Sequence, residues 1–237
     1  MRLHLLHLGR MHPGDIPVPG YLITTDDGRH VLVDTGWPRH FVHDPQGPPG
    51  LEVVVRPEDT VVARLAELGL APGDIHLLVC SHFDEDHAGN HELFTAAELL
   101  VQRRHYAAAR AGHPRSAGSR ASWDHPGLRY RLLDGDVEIA PGVEVLATSG
   151  HVPGHQSVLV RLPNTGPVLL AIDAVMHRAM ADAATREIYV TDLDEAEVRA
   201  STQKLADVAA REHAALVVYG HDRDQWATLR QSPAFYD

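Results

Sequence analysis

The chain of 237 residues holds one cysteine, Cys80, which excludes an internal disulfide framework and a cysteine-rich zinc module. No apolar run approaches the roughly 18 residues that a membrane-spanning helix requires. Basic side chains are few. Against 32 Asp and Glu stand 21 Lys and Arg, a net charge of −11, which argues against a nucleic acid or an anionic membrane as partner. The opening MRLHLLHLGR has no small-residue cleavage site after an apolar block, so it reads as a strand and the expected location is the cytoplasm. Aromatic residues make up only 5%, yet Trp37, Phe41 and Trp123 fall on long loops, where they could line a pocket. Histidine is what the chain has in excess. With an unperturbed imidazole pKa near ~6.5, 18 copies can supply much of the positive charge behind a pI of 5.9 despite the acidic balance.

A chain this long buries a core without staples. The alternating stretches Leu3–Leu8, Val18–Thr24 and Arg29–Val33 read as strands, the last two joined by Asp26-Asp27-Gly28. The Pro- and Gly-rich stretch Trp37–Gly50 reads as a lid or binding loop. A helix is expected over Pro57–Leu68, a buried strand over Ile75–Cys80, and a helix over Asn90 to about Ala111 with a break near Gln102–Tyr106. After a second loop, Gly112–Gly127, come short strands over Arg129–Ala147 and a hairpin of Ser157–Leu162 with Val168–Ile172. A helix from Glu195 to Glu212 is capped by Asp194 with Glu197 three residues on, and Leu216–Tyr219 is a strand. The order suggests two packed sheets with helices outside, in one domain over 1–237.

Five polar clusters each fall just past an expected strand. They are Val33-Asp34-Thr35-Gly36, the run from Ser81 to His87, Ser149-Gly150-His151, Ile172-Asp173-Ala174 and Tyr219-Gly220-His221-Asp222. In extended chain His82 and Asp84 point the same way, while Asp86 and His87 can aim at a second point as the chain turns. That arrangement suits two metal ions better than one. Taken singly, His151 or His221 would be a packing or surface residue and Asp34 or Asp173 a turn group. Together and in this order they read as a metal site.

With these residues in hand, the chain resembles the metallo-β-lactamase superfamily, and within it the N-acyl homoserine lactonase-like branch, from about Pro17 to Trp226. The resemblance rests on Pro17-Val-Pro-Gly-Tyr-Leu-Ile23, the Val-Asp-Thr-Gly turn, the Thr148–Ser157 stretch, Ala171-Ile-Asp-Ala174 and Tyr219-Gly-His-Asp222. It implies a four-layer αββα sandwich with two mixed sheets and a dinuclear site on the sheet edges. It implies further that His82, Asp84 and His151 bind one metal, that Asp86, His87 and His221 bind the other, that Asp173 bridges them, and that Asp34 orients a ligand histidine. The cofactors would be two divalent ions, zinc first, with Mn or Fe admitted by the Asp84 oxygen.

Three positions depart from the family pattern. Asp84 stands where a second histidine is usual, Glu85 where aromatic or apolar residues are frequent, and Met176 where the lactonases carry a tyrosine. The extra carboxylate should make the metal pair a weaker Lewis acid, so Asp84→His should move the basic limb of the pH–rate profile down, unless Asp84 points away from the metals. The expected activity is opening of a lactone or cleavage of a related ester by a metal-bound hydroxide, with Asp86 passing a proton to the leaving alkoxide. A small-molecule substrate is the implied partner, and a homodimer is compatible. The rivals are a non-catalytic metal-containing binding or sensor protein and a diiron redox protein of the same fold. His155 has either a turn role or contact with the site, Cys80 is a buried hydrophobe, and His12, His40, His43 and His177 are surface residues.

Overall fold

A computed structural model describes residues 1–44, 47 and 50–237 of the chain. It forms two sheets face to face. The first contains β1 (Arg2–His12), β2 (Ile16–Thr24), β3 (His30–Val33), β4 (Glu52–Val54), β5 (Leu77–Val79), β6 (Glu98–Gln102) and β7 (Arg129–Leu133), in the order β4-β1-β2-β3-β5-β6-β7. The second contains β8 (Val137–Ala140), β9 (Val143–Ala147), β10 (Gln156–Leu162), β11 (Gly166–Ile172) and β12 (Leu216–Tyr219), in the order β12-β11-β10-β9-β8. Strands β3, β5, β6 and β7 run parallel, as do β11 and β12. The helices are α1 (Val61–Glu67), α2 (Glu85–Ala88), α3 (Arg103–Arg110), α4 (Arg120–Trp123), α5 (Glu195–Arg211) and α6 (Arg223–Trp226).

Alternation along the strands creates three apolar layers, which is what a four-layer sandwich needs. From β1, Leu3 and Leu5 face the second sheet, while Leu6 and Leu8 face outward beside Val61 and Leu65 of α1. From β11, Val168 and Leu170 face the first sheet, while Leu169 and Ala171 pack under Leu205 and Val208 of α5. One polar staple crosses the apolar seam: Gln156 of β10 donates to the carbonyls of Cys80 (2.7 Å) and Leu100 (3.0 Å) of the first sheet. The hairpin of β10 and β11, the short strands after Arg129 and the capped α5 agree with the sequence, and Asp194 accepts from Glu197 N at 2.9 Å.

The helix expected over Asn90 to Ala111 is wrong in its first half. The segment holds a 3-10 turn (His91–Leu93), then β6, and only then α3. Leu99, Leu100 and Val101 are buried on both faces of a parallel strand, so the alternation that would identify them is erased. Of the proposed lid, residues 39–42 form a 3-10 turn, while Pro45, Gln46, Pro48 and Pro49 lie outside the described residues.

His105 on α3 joins the two halves near the site. Its Nε2 accepts from Phe83 N (2.8 Å) and its Nδ1 donates to Pro153 O (2.8 Å), so only the neutral ring fits. Burial holds its pKa down to about 3, and burial likewise holds His91 at about 4. In the unfolded chain these rings take a proton near pH ~6.5. Their stabilisation is therefore full above that pH and declines as pH falls toward the folded values, by up to about 1.4 kcal/mol per pH unit for each ring. Urea unfolding between pH 7 and 5 should show this loss, and His105→Gln should flatten the slope. An unchanged slope in the variant removes His105 as its source.

Candidate metal centre

The polar clusters gather where the strands end. Asp34 follows β3, Ser81 and His82 follow β5, Asp173 follows β11 and His221 follows β12, while His151 comes from the turn between β9 and β10. The strand ends of the two facing sheets thus bring these clusters together at one end of the sandwich. Close approach there demands glycine: a Cβ on Gly220 would lie 2.6 Å from Ile172 O and 2.9 Å from Asp173 Oδ1. Gly150, at φ +133°, leaves room for the first turn of α5, since a Cβ would sit 2.3 Å from Val198 N.

All seven side chains singled out in the sequence converge. Three groups of donor atoms lie within 4.8 Å of one another: His82, Asp84 and His151; His82, His87 and Asp173; and Asp86, His87 and His221. Asp84 points inward, with Oδ2 at 3.3 Å from His82 Nε2 and 3.6 Å from His151 Nε2. Asp173 lies astride the groups. Its Oδ2 is 3.3 Å from His151 Nε2, and its Oδ1 is 3.2 Å from His221 Nε2 and 3.5 Å from His87 Nε2. Asp86 Oδ2 is 3.5 Å from His87 Nε2 and 3.7 Å from His221 Nε2.

Every one of the four imidazoles is anchored through Nδ1, which leaves Nε2 facing the centre. His87 Nδ1 donates to Asp34 Oδ2 (2.9 Å), His82 Nδ1 lies 2.9 Å from Ser81 Oγ, His151 Nδ1 faces Asp192 Oδ1 (3.2 Å), and His221 Nδ1 donates to Pro17 O (2.8 Å). These partners set ring orientation and tautomer. Asp34 sits in the left-handed region at φ 59° and also accepts from Ser81 N (2.8 Å) and Ser81 Oγ (2.7 Å), which matches its expected supporting place.

The centre favours positive charge. Burial opposes protonation of His87, yet Asp86, Asp173 and Asp34 outweigh it and raise its pKa well above the ordinary value. Burial likewise opposes His151, but Asp192 and Asp84 lift it to about 9. Asp173 and Asp84 are pushed up by burial and pulled further down by the facing histidines, so both stay well below the usual carboxylate range. Among the described residues, His82 Nε2, His87 Nε2 and Asp173 Oδ1 are buried without a hydrogen-bond partner. Buried donors left in this condition are what a bound cation satisfies.

A cavity of about 470 Å³ opens above them. Met11, Trp37, Leu51, Met176, Val190 and Leu193 give it an apolar wall, and Glu85 and Arg115 stand beside the donor groups. Trp37 therefore reaches the pocket as expected, Met176 lines it as well, and Phe41 supports Trp37 edge-on at 5.0 Å. Trp123 does not line it. That ring stacks on Phe83 at 4.8 Å in the core, because the segment expected as a loop forms the short helix α4, which buries Trp123 against the first sheet. His155 packs against His82 at 5.2 Å, with Nδ1 bonded to Thr148 Oγ1, so it is a turn residue that buttresses a ligand candidate. Cys80 is fully buried, and the larger hollow beside His12 (about 710 Å³) has none of the donors.

Three residues near the site were missed in the sequence. Arg115 forks onto Asp84, with Nε 3.1 Å from Oδ1 and Nη2 bonded to Oδ2. The extra negative charge counted at Asp84 is thus paired, which corrects the expectation of a more negative site. Asp192 and Arg186 form a fully buried ion pair (3.3 Å) behind His151. Nothing in the spacing of their loops marks these residues.

A model of the metallo-beta-lactamase superfamily matches residues 13–221. The chain is 37% identical to the N-acyl homoserine lactonase AttM of Azorhizobium caulinodans, over 94% of this chain and 88% of that one. It is 36% identical to an N-acyl homoserine lactonase of a Bacillus species, over 93% and 87%. A solved N-acyl homoserine lactone hydrolase, with the product N-hexanoyl-L-homoserine at its catalytic metal center, superposes with a TM-score of 0.89 at 29% identity, covering 99% and 98% of the two chains.

Proposed function

The chain belongs to the metallo-beta-lactamase superfamily, and we propose that it is a metal-dependent hydrolase that opens the ring of N-acyl homoserine lactones. The observation that carries this reading is Asp173 set astride two donor groups whose imidazoles all turn Nε2 inward. His82, Asp84 and His151 with Asp173 would hold one divalent ion, and Asp86, His87 and His221 with Asp173 the other. Four imidazoles with carboxylates suit zinc, while the oxygen of Asp84 also serves Mn or Fe.

Bound there, the ions would supply Lewis acidity to the lactone carbonyl and lower the pKa of water. The protein's own part is orientation and proton movement. Asp34, Ser81, Asp192 and Pro17 keep the four rings aimed. Asp86, on the rim of the cavity, would take the proton released as water's oxygen bonds the carbonyl carbon. It would return that proton to the ring oxygen as the C–O bond breaks, leaving a hydroxy acid. The apolar wall of Met11, Trp37, Leu51 and Met176 would bind the acyl chain and exclude water around it.

Chelation should abolish ring opening of N-hexanoyl homoserine lactone, followed by pH-stat, and two equivalents of zinc should restore it. Two bound equivalents of Zn, Mn or Fe without turnover of that lactone, of γ-butyrolactone or of phenyl acetate would reject the hydrolase and favour a binding protein.

A further inference from the structure

The two donor groups differ in charge, and the difference comes from one side chain. Arg115 lies on the 3-10 turn Pro114–Ser116, in the connection between α3 and β7. Its fork takes both oxygens of Asp84, its Nη1 donates to Thr191 O, and its Nη2 stands 3.0 Å from His151 Nε2. Among the described residues lining the cavity it is the one permanent cation. A carboxylate offers about four lone-pair positions, so Asp84 can accept this fork and still present Oδ2 to the space between His82 and His151. Asp86, which faces His87 and His221, has no such partner among the described residues of the cavity wall.

We propose that Arg115 sets the charge of the first cation position and makes it the weaker of the two, so that the positions fill in order. This rests on the dinuclear reading above. Asp84 and Arg115 together contribute no net charge to the first position, which leaves the shared Asp173 as its uncompensated anion. The second position has Asp173 and Asp86. A divalent ion at the first position also meets a fixed positive group a few ångströms away, which no rearrangement of water fully screens in a part-buried site. The contact of Nη1 to Thr191 O holds that group in place.

The test is chelator-competition titration with zinc, with metal content measured in parallel and folding checked by circular dichroism. Wild type should bind two equivalents with separated affinities, and Asp84→Ala should lose the weaker. Arg115→Gln keeps a hydrogen-bond donor for Asp84 and removes the charge. It should tighten the weaker equivalent by roughly tenfold or more and leave the tighter one nearly unchanged. Arg115→Lys retains the charge and should keep the wild-type separation. A merely structural role would weaken binding, never tighten one site alone. An unchanged or weakened first equivalent in Arg115→Gln overturns the proposal while leaving lactone hydrolysis intact. Two separated equivalents that respond as stated in a protein without lactonase turnover would uphold it and reject the activity. A wild type binding fewer than two equivalents rejects both.

Discussion

Asp173→Ala should lose both metal equivalents and lower the rate of lactone opening by about 10³-fold, the equivalent of several kcal/mol of lost Lewis-acid stabilisation. The reason is position. One carboxylate reaches His151 with Oδ2 and His87 and His221 with Oδ1, so its removal takes a donor from each group at once. It also leaves four imidazoles facing one another with fewer anions between them. His221→Ala should remove one equivalent and spare the other. Elemental analysis on the folded variants separates the two cases, and two retained equivalents in Asp173→Ala would remove the bridging role.

The largest effect on stability should come from Asp192→Ala. The Arg186 guanidinium is fully buried and donates to Ala174 O (2.7 Å) and Thr202 Oγ1 (2.6 Å), with Asp192 as its anion. Removing one partner of a buried pair costs about 3–5 kcal/mol, which in a chain of this size is a Tm loss of roughly 10 °C. The same substitution frees His151 Nδ1, and loss of such a supporting bond costs about 10–100-fold in metal affinity. Asp192→Ala combined with Arg186→Met should recover much of the Tm but not the affinity. Recovery of both, by calorimetry and metal titration, would mean that Asp192 does nothing for His151.

The seven candidate donors were legible as residues in polar clusters past expected strands, where a period of two places His82 and Asp84 on one side, while their division between two metals came from the family resemblance. Asp34 was legible for the same reason. Arg115, Asp192 and Arg186 were not. They lie in segments without periodicity, and their partners are 31, 41 and 6 residues away in sequence, so only the packing of those loops reveals the contacts. Strand β6 was hidden by burial on both faces, and Trp123 by a short helix, α4, inside a stretch whose Gly, Pro and Ser read as loop. The charge at Asp84 shows the cost of such gaps: a count of ligands alone assigns the site one negative charge too many.

The centre takes His82, Asp84, Asp86 and His87 from beside the first sheet and His151, Asp173 and His221 from beside the second, and His221 is itself moored to Pro17 of β2. Affinity for the ions and the spacing of the sheets are therefore a single mechanical quantity. A change in side-chain volume at Val160 or Leu170, deep between the layers, would slide one half of the coordination cage against the other. Directed variation aimed at metal preference thus has levers in the apolar interior, far from any candidate ligand.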